Sequence, residues 1–328
     1  MNLAAVASRP GPLAEVVAIR QLPDLPPPGP GMVQVRMLAA TINPSDAVTV
    51  SGAYASRTKF PLVPGFEGLG RIEAIGAGVS ESLLGRRILP LGTAENWQQV
   101  KQLEAEWCVP VPDDIPTEVA CFSYVNPLTA LLMVDRYCSP ASRTVVVSAA
   151  NSAIGGHLAE LLNERGIRPI GLVRSLGGRA VAEPSQWQAV LETRDPLWTT
   201  QLEELVGPRG VDLGLDCVGG EVGALMAAAL GRGSVLVHFG LLSGTPIPDW
   251  CFAADRPGRI EMFRLRDTVH SVPRASLPEL LAPVFEHQRH GRLLTEVTHR
   301  VGLSELEEFL GSCGSALPTG KVLIDPQG

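Results

Sequence analysis

Thr144-Val-Val-Val-Ser148, followed by Ala149-Ala-Asn-Ser-Ala-Ile-Gly-Gly156, decides how this chain folds. The first run is almost wholly apolar, as a strand covered on both faces requires, and the second is a tight turn opening an amphipathic helix that runs through Leu162. A second apolar strand is expected over 169–173, a third over 211–217 and a fourth over 234–239, with a helix over 221–230. Apolar strands alternating with helices make an α/β, doubly wound parallel sheet of the Rossmann, dinucleotide-binding kind. A dinucleotide pyrophosphate fits the strand-to-helix turn, because amides at a helix N-terminus point at phosphate oxygens and the dipole favours negative charge. Asn151, Ser152, Ala153, Ile154 and Gly155 are therefore candidate cofactor contacts. The turn holds fewer glycines than G-x-G-x-x-G, so a purely structural turn is the alternative.

The strand over 169–173 ends in Arg174-Ser175. An enzyme that uses NAD places a carboxylate on the ribose 2′-hydroxyl about 20 residues after the turn. A guanidinium there instead grips a 2′-phosphate with its fork of donors. The expected cofactor is NADPH, with Arg174 as chief binder, Ser175 beside it and Arg179 as help; a solvated surface arginine is the alternative.

Upstream, short apolar or alternating runs at 3–6, 15–19, 32–39, 69–75 and 87–89 are punctuated by clusters such as Pro26-Pro-Pro-Gly-Pro-Gly31. They predict a compact β-rich, barrel-like domain. Thr117-Glu-Val-Ala and Asn126-Pro-Leu-Thr then open helices, and the tail ending Gly320-Lys-Val-Leu-Ile324 reads as helix then strand. At 328 residues the chain is too long for one core. A net charge of −7 leaves no basic face for nucleic acid, and no apolar run approaches the about 20 residues of a membrane span. The start of the chain has no basic segment followed by an apolar one, so a cytoplasmic address is expected. Cysteines at 108, 121, 138, 217, 251 and 313 include no C-x-x-C pair, so reduced, mostly buried thiols are expected.

Thr41-Ile-Asn-Pro-Ser-Asp46, Ser51-Gly-Ala-Tyr54, Pro61-Leu-Val-Pro-Gly-Phe-Glu-Gly68 and Arg71-Ile-Glu-Ala-Ile-Gly76 together resemble the front of the medium-chain dehydrogenase/reductase superfamily. Its zinc alcohol dehydrogenases carry cysteine where Asn43 stands and histidine where Phe66 stands. Phenylalanine has no lone pair for a metal and a neutral amide is a poor zinc ligand, so no metal is expected. The resemblance implies a GroES-like domain over 1–118, completed by 295–328, and a Rossmann domain over 119–294. It is closest to the zinc-free 2-enoyl-thioester reductases, which share the Gly-x-Tyr context. There Tyr54 would serve the enolate as hydrogen-bond donor or acid, the phenol being protonated at neutral pH. A packing tyrosine with its hydroxyl in water is the alternative.

Further roles follow from the resemblance. Asn43 counts among the cofactor residues, as do Asn126 and Thr129 of Val125-Asn-Pro-Leu-Thr129, near the nicotinamide and phosphates. Cys217 and Val218 would be backbone neighbours on the adenosine side, with Asp216 structural, while Phe239 and Gly240, after His238, approach the nicotinamide. Lys321 matches a lysine often near the cofactor. Asp46 and Glu67 are expected to bond nearby backbone. The acyl pocket departs from the family: Phe263 keeps one ring but Arg264 stands where a tryptophan would. Arg256, Arg259, Arg264 and Arg266 together suit a phosphorylated substrate such as coenzyme A or an acyl carrier, and Pro184 and Pro196 shorten the helix after the second strand.

The expected activity is NADPH-dependent reduction of an activated C=C bond, with an acyl thioester or enone as small-molecule partner. A quinone reductase and a non-catalytic nucleotide sensor are the alternatives. A homodimer is expected by analogy with the superfamily.

Overall fold

The computed structural model describes residues 1–53, 58–253, 255–314 and 318–328. They form two units, Met1–Val125 with Val269–Gly328, and Asn126–Thr268. The breaks stand at 125/126 and 268/269, where the sequence suggested 118/119 and 294/295. The helix Leu277–Arg289 explains the second: it packs on the first unit, where its buried Gln288 takes a hydrogen bond from Ser123 Oγ at 2.9 Å.

The first unit holds β1 (Asn2–Ala7), β2 (Val17–Leu22), β3 (Met32–Thr41), β4 (Gly68–Ile75), β5 (Arg87–Pro90), β6 (Val100–Glu104) and β7 (Cys108–Pro110). The residues expected as strand over 15–19 divide. Leu13–Val16 is a helical turn, because Pro12 presents its carbonyl to the amides of Glu15 and Val16 and both Leu13 and Val16 are buried. The strand begins after it, at Val17. In the second unit β8 (Val145–Ser148), β9 (Ile170–Val173), β10 (Ala189–Glu192), β11 (Val211–Asp216), β12 (Leu230–His238) and β13 (Arg259–Met262) follow. Finally β14 (Val297–Gly302) and β15 (Lys321–Asp325) rejoin the first unit.

In the first unit β3 is the hub, antiparallel to β4, β6 and β15 within a seven-stranded sheet. The β15 pairing, Leu323 opposite Thr41, brings the tail expected to return to this domain beside its central strand. The core there is built on Val33, Val35, Met37, Ile72 and Ile88.

The second unit is a six-stranded parallel sheet of order β10-β9-β8-β11-β12-β13. The order runs outward in both directions from β8, so the direction in which successive strands are added reverses beside that strand, the place where parallel sheets hold ligands. Between β9 and β10 the described residues contain a single 3₁₀ turn, Pro184–Gln186, in place of a covering helix. Trp187, 2% exposed, fills part of that space, its ring close against Gly171. No helix among the described residues is long and apolar enough to cross a membrane.

Candidate active site

The second unit gathers its site residues at the C-terminal ends of its strands. After β8, Ala149 adopts a left-handed φ of 48° and turns the chain into the helix Ala153–Glu164. Ser152 caps that helix, its Oγ accepting from the Gly155 amide at 3.2 Å. The amides of Ala153 and Ile154 have no partner among the described residues and point out of the helix start. Gly155 is required by close packing: a Cβ there would lie 2.6 Å from the Ala150 carbonyl oxygen. Asn151, expected at the phosphates, directs its side-chain amide to the Arg179 carbonyl at 3.0 Å, and so braces the loop that follows β9.

Arg174 follows β9 directly, is exposed, and has no hydrogen bond or ion pair among the described residues. Ser175 beside it accepts from the Gly177 amide at 3.3 Å. Asn126 and Thr129 lie one turn apart on the helix Asn126–Tyr137.

The ends of β8, β11 and β12 are knotted through Asp216. Its fully buried carboxylate accepts from Ser148 Oγ at 2.8 Å and from the Val218 and Gly219 amides at 2.9 and 3.0 Å, and meets His238 Nδ1 at 2.8 Å. Ser148 Oγ in turn accepts from the Cys217 amide at 2.9 Å. This agrees with a structural Asp216 and fixes the backbone at Cys217 and Val218. Phe239 donates to the Asp216 carbonyl at 2.8 Å, and a Cβ on Gly240 would lie 3.0 Å from Cys217. The Asp216–His238 pair escaped the sequence reading. Its signal was an acid and an imidazole, each closing an apolar strand.

Arg256 and Arg259 do not share one patch with Arg264. Arg256 and Arg259 line a cavity of about 320 Å³ near the start of β13, where Arg256 stacks on Trp250 and Arg259 pairs with Glu261. Arg264 follows the other end of β13 and pairs with Asp267 at 2.8 Å. Phe263 is buried, its amide bonded to the His238 carbonyl.

The first unit contains a buried polar cluster around Asn43 and Glu67. Asn43 caps the helix Pro44–Val50. Its amide N–H reaches Asp46 Oδ2 at 2.7 Å and its Nδ2 reaches Glu67 Oε2 at 3.0 Å. Asp46 also accepts from the Phe66 amide at 2.9 Å, and Glu67 from the amides of Tyr124 and Val125 at 3.1 and 2.7 Å. Both acids therefore bond backbone as expected. The unexpected member is Lys321, at the start of β15, which donates to Asn43 Oδ1. Tyr54, the expected proton donor, lies outside the described residues.

Burial governs the charges here. It pushes the Asp46 pKa up to about 7 against the bonds from Asn43 and Phe66, raises Glu67 against nearby Lys321, and lowers Lys321 against Glu67 and Asp46. A carboxyl raised from 3.8 to about 7 contributes its stability in full below 3.8 and loses it as pH rises through about 7. Asp46→Asn gives up one accepted N–H bond at every pH but removes this titration. Melting curves should show the wild type's advantage largest near pH 4 and shrinking by pH 8; a pH-independent difference would contradict a raised pKa.

The alcohol dehydrogenase GroES-like domain model matches residues 29–113. The mitochondrial enoyl-[acyl-carrier-protein] reductase of Bos taurus is 31% identical over 255 residues, covering 72% of this chain and 65% of that protein. The Arabidopsis thaliana protein of the same name is 33% identical over 223 residues, covering 66% of this chain and 59% of its own length. This chain thus matches less than two thirds of either relative. Among solved structures, a Bacillus thuringiensis protein provisionally assigned as an NADPH:quinone reductase superposes with a TM-score of 0.90 at 28% identity, over 99% of this chain and 98% of the other.

Proposed function

This chain belongs to the zinc-independent medium-chain dehydrogenase/reductase superfamily, and from that premise we propose that it reduces the C=C bond of a 2-enoyl thioester with NADPH. The observation that carries the cofactor half is the β8 turn together with Arg174. Two amides at a helix start and a guanidinium after the neighbouring strand, all without a partner among the described residues, together with a glycine that lets backbone pack closely, suit a dinucleotide with a 2′-phosphate. Ala153 and Ile154 would hold the pyrophosphate, with Asn151 and Ser152 shaping the turn. Arg174 would hold the 2′-phosphate. Cys217, Val218, Phe239 and Gly240 would line the cofactor with backbone, and Asn126 and Thr129 would meet its nicotinamide end. The chemistry such a cofactor supplies is a hydride for the β-carbon.

The thioester half is supported by the names of the curated relatives and by Tyr54 in its Gly-x-Tyr context. Tyr54 would then deliver a proton to the α-carbon and return to its neutral form from solvent. A second reading, an enone or quinone reductase, draws on the 28% identical Bacillus protein and does not need that proton donor.

Arg174→Ala tests the cofactor assignment. The Kd for NADPH should rise about tenfold or more, as for a charge-assisted bond, and that for NADH should hardly move. Equal effects on both would remove Arg174 from the site. Steady-state rates with crotonyl-CoA, a longer enoyl-CoA and a simple quinone test the substrate. A kcat/KM favouring the thioesters is expected, and preference for the quinone would select the second reading.

A further inference from the structure

Lys321 holds an ammonium in a place where the protein leaves it underused. Its side chain is 7% exposed, and among the described residues Nζ has one hydrogen-bond partner, Asn43 Oδ1. It forms no ion pair among the described residues, although Glu67 and Asp46 both act on it electrostatically. Asn43 stands between the charges, accepting from Lys321 and donating to Glu67 Oε2 at 3.0 Å. Glu67 Oε1 is taken by two amides, and Asp46 by the amides of Asn43 and Phe66. The ring of Phe122, 6.0 Å away, adds an electron-rich face but no acceptor atom. An ammonium carries three donors. Burying one with a single acceptor among the described residues is unfavourable unless a further acceptor, such as a ligand oxygen, is supplied.

We propose that Lys321 is a further catalytic residue, whose free N–H groups bind the thioester carbonyl oxygen and stabilise the charge that this oxygen gains. The proposal rests on the reading of the chain as an enoyl-thioester reductase. It moves Lys321 from the cofactor to the substrate, and makes Asn43 the residue that aims it.

The choice of ligand follows from the charges around Nζ. A phosphate would enter beside two buried carboxylates and be repelled by each ionised one. A carbonyl oxygen enters neutral. As hydride adds to the β-carbon, the electron pair of the C=C bond moves toward the carbonyl and its oxygen becomes an enolate oxygen. A proton added at the α-carbon then restores the C=O bond. Lys321 keeps all three protons throughout, and its bond to oxygen is strongest when the charge is greatest, which is what lowers a barrier.

Lys321→Met removes the donors at similar length. The probes are turnover of crotonyl-CoA, the Kd of NADPH followed by its fluorescence, and the infrared band of bound butyryl-CoA labelled with ¹³C at the carbonyl. The expected result is a kcat about 10²- to 10³-fold lower, an NADPH Kd within about twofold, and a carbonyl band red-shifted in the wild type but not in the variant. Lys321→Arg should recover part of both the rate and the shift. A weakened NADPH Kd with an unchanged carbonyl band would return Lys321 to the cofactor and overturn the proposal; so would no change in any readout. If Lys321→Met fails to fold, Lys321→Met with Glu67→Gln removes both buried charges together and is read the same way. A wild type that reduces no enoyl thioester defeats the functional reading itself, and is recognised without any variant.

Discussion

Tyr54→Phe is expected to lower kcat for an enoyl thioester by about 10²- to 10³-fold while leaving NADPH binding and thermal stability unchanged. The phenol has an ordinary pKa of about 10, so at neutral pH it carries a proton that phenylalanine cannot replace. The substitution keeps the aromatic ring and removes only the hydroxyl. On the proposed reading the loss is that of the acid that quenches the enolate, and water reaching the α-carbon should sustain a residual rate. Because proton delivery becomes limiting, the variant's solvent isotope effect should exceed that of the wild type. Quinone turnover, which leaves no enolate carbon to protonate, should be unaffected. Equal losses on thioester and quinone would mean that Tyr54 shapes the site rather than donating a proton.

The second large effect is on stability. Asp216→Ala strips a fully buried carboxylate from four partners: Ser148 Oγ, two backbone amides and the His238 imidazole. Ser148, Gly219 and His238 are buried, so water does not readily replace the carboxylate for them. The expected cost is about 3–5 kcal/mol, the range for removing one partner of a buried charged network. Urea titration should show an earlier midpoint, and NADPH should bind more weakly because the turn at Val218 and Gly219 has lost its anchor. Replacing His238 as well, by leucine, should recover part of the loss, since the imidazole then no longer lacks its partner. A loss below about 1 kcal/mol, the typical effect of a single substitution, would contradict the knot.

The inner strands of the parallel sheet were legible because burial on both faces demands uninterrupted apolar residues, as in Thr144–Ser148 and 211–217. The strands that went unread, Ala189–Glu192 and Arg259–Met262, are the two edges of that sheet. Each has four residues, and the second alternates charge with apolar side chains, as an edge exposed to water permits. Leu13–Val16 misled for a different reason: apolar residues three apart fit a helical turn or a short strand, and only Pro12 tips the balance.

The turn at Asn151–Gly155 could be read because its parts are adjacent. The Lys321–Asn43 contact could not, because 278 residues separate its members and it exists only once β15 pairs with β3. The same holds for the arginines after Trp250. Sequence proximity suggested one anion patch, but β13 sends them to its opposite ends.

The most direct test of the account is to follow the transferred hydrogen. NADPH carrying deuterium at the reactive nicotinamide carbon would be supplied with crotonyl-CoA in ordinary water, and the product examined by NMR. The expected product is butyryl-CoA with deuterium at the β-carbon and ordinary hydrogen at the α-carbon, the pattern reversing when unlabelled NADPH is used in deuterium oxide. Deuterium at the α-carbon from labelled NADPH, or oxidation of NADPH with no saturated thioester formed, would contradict it.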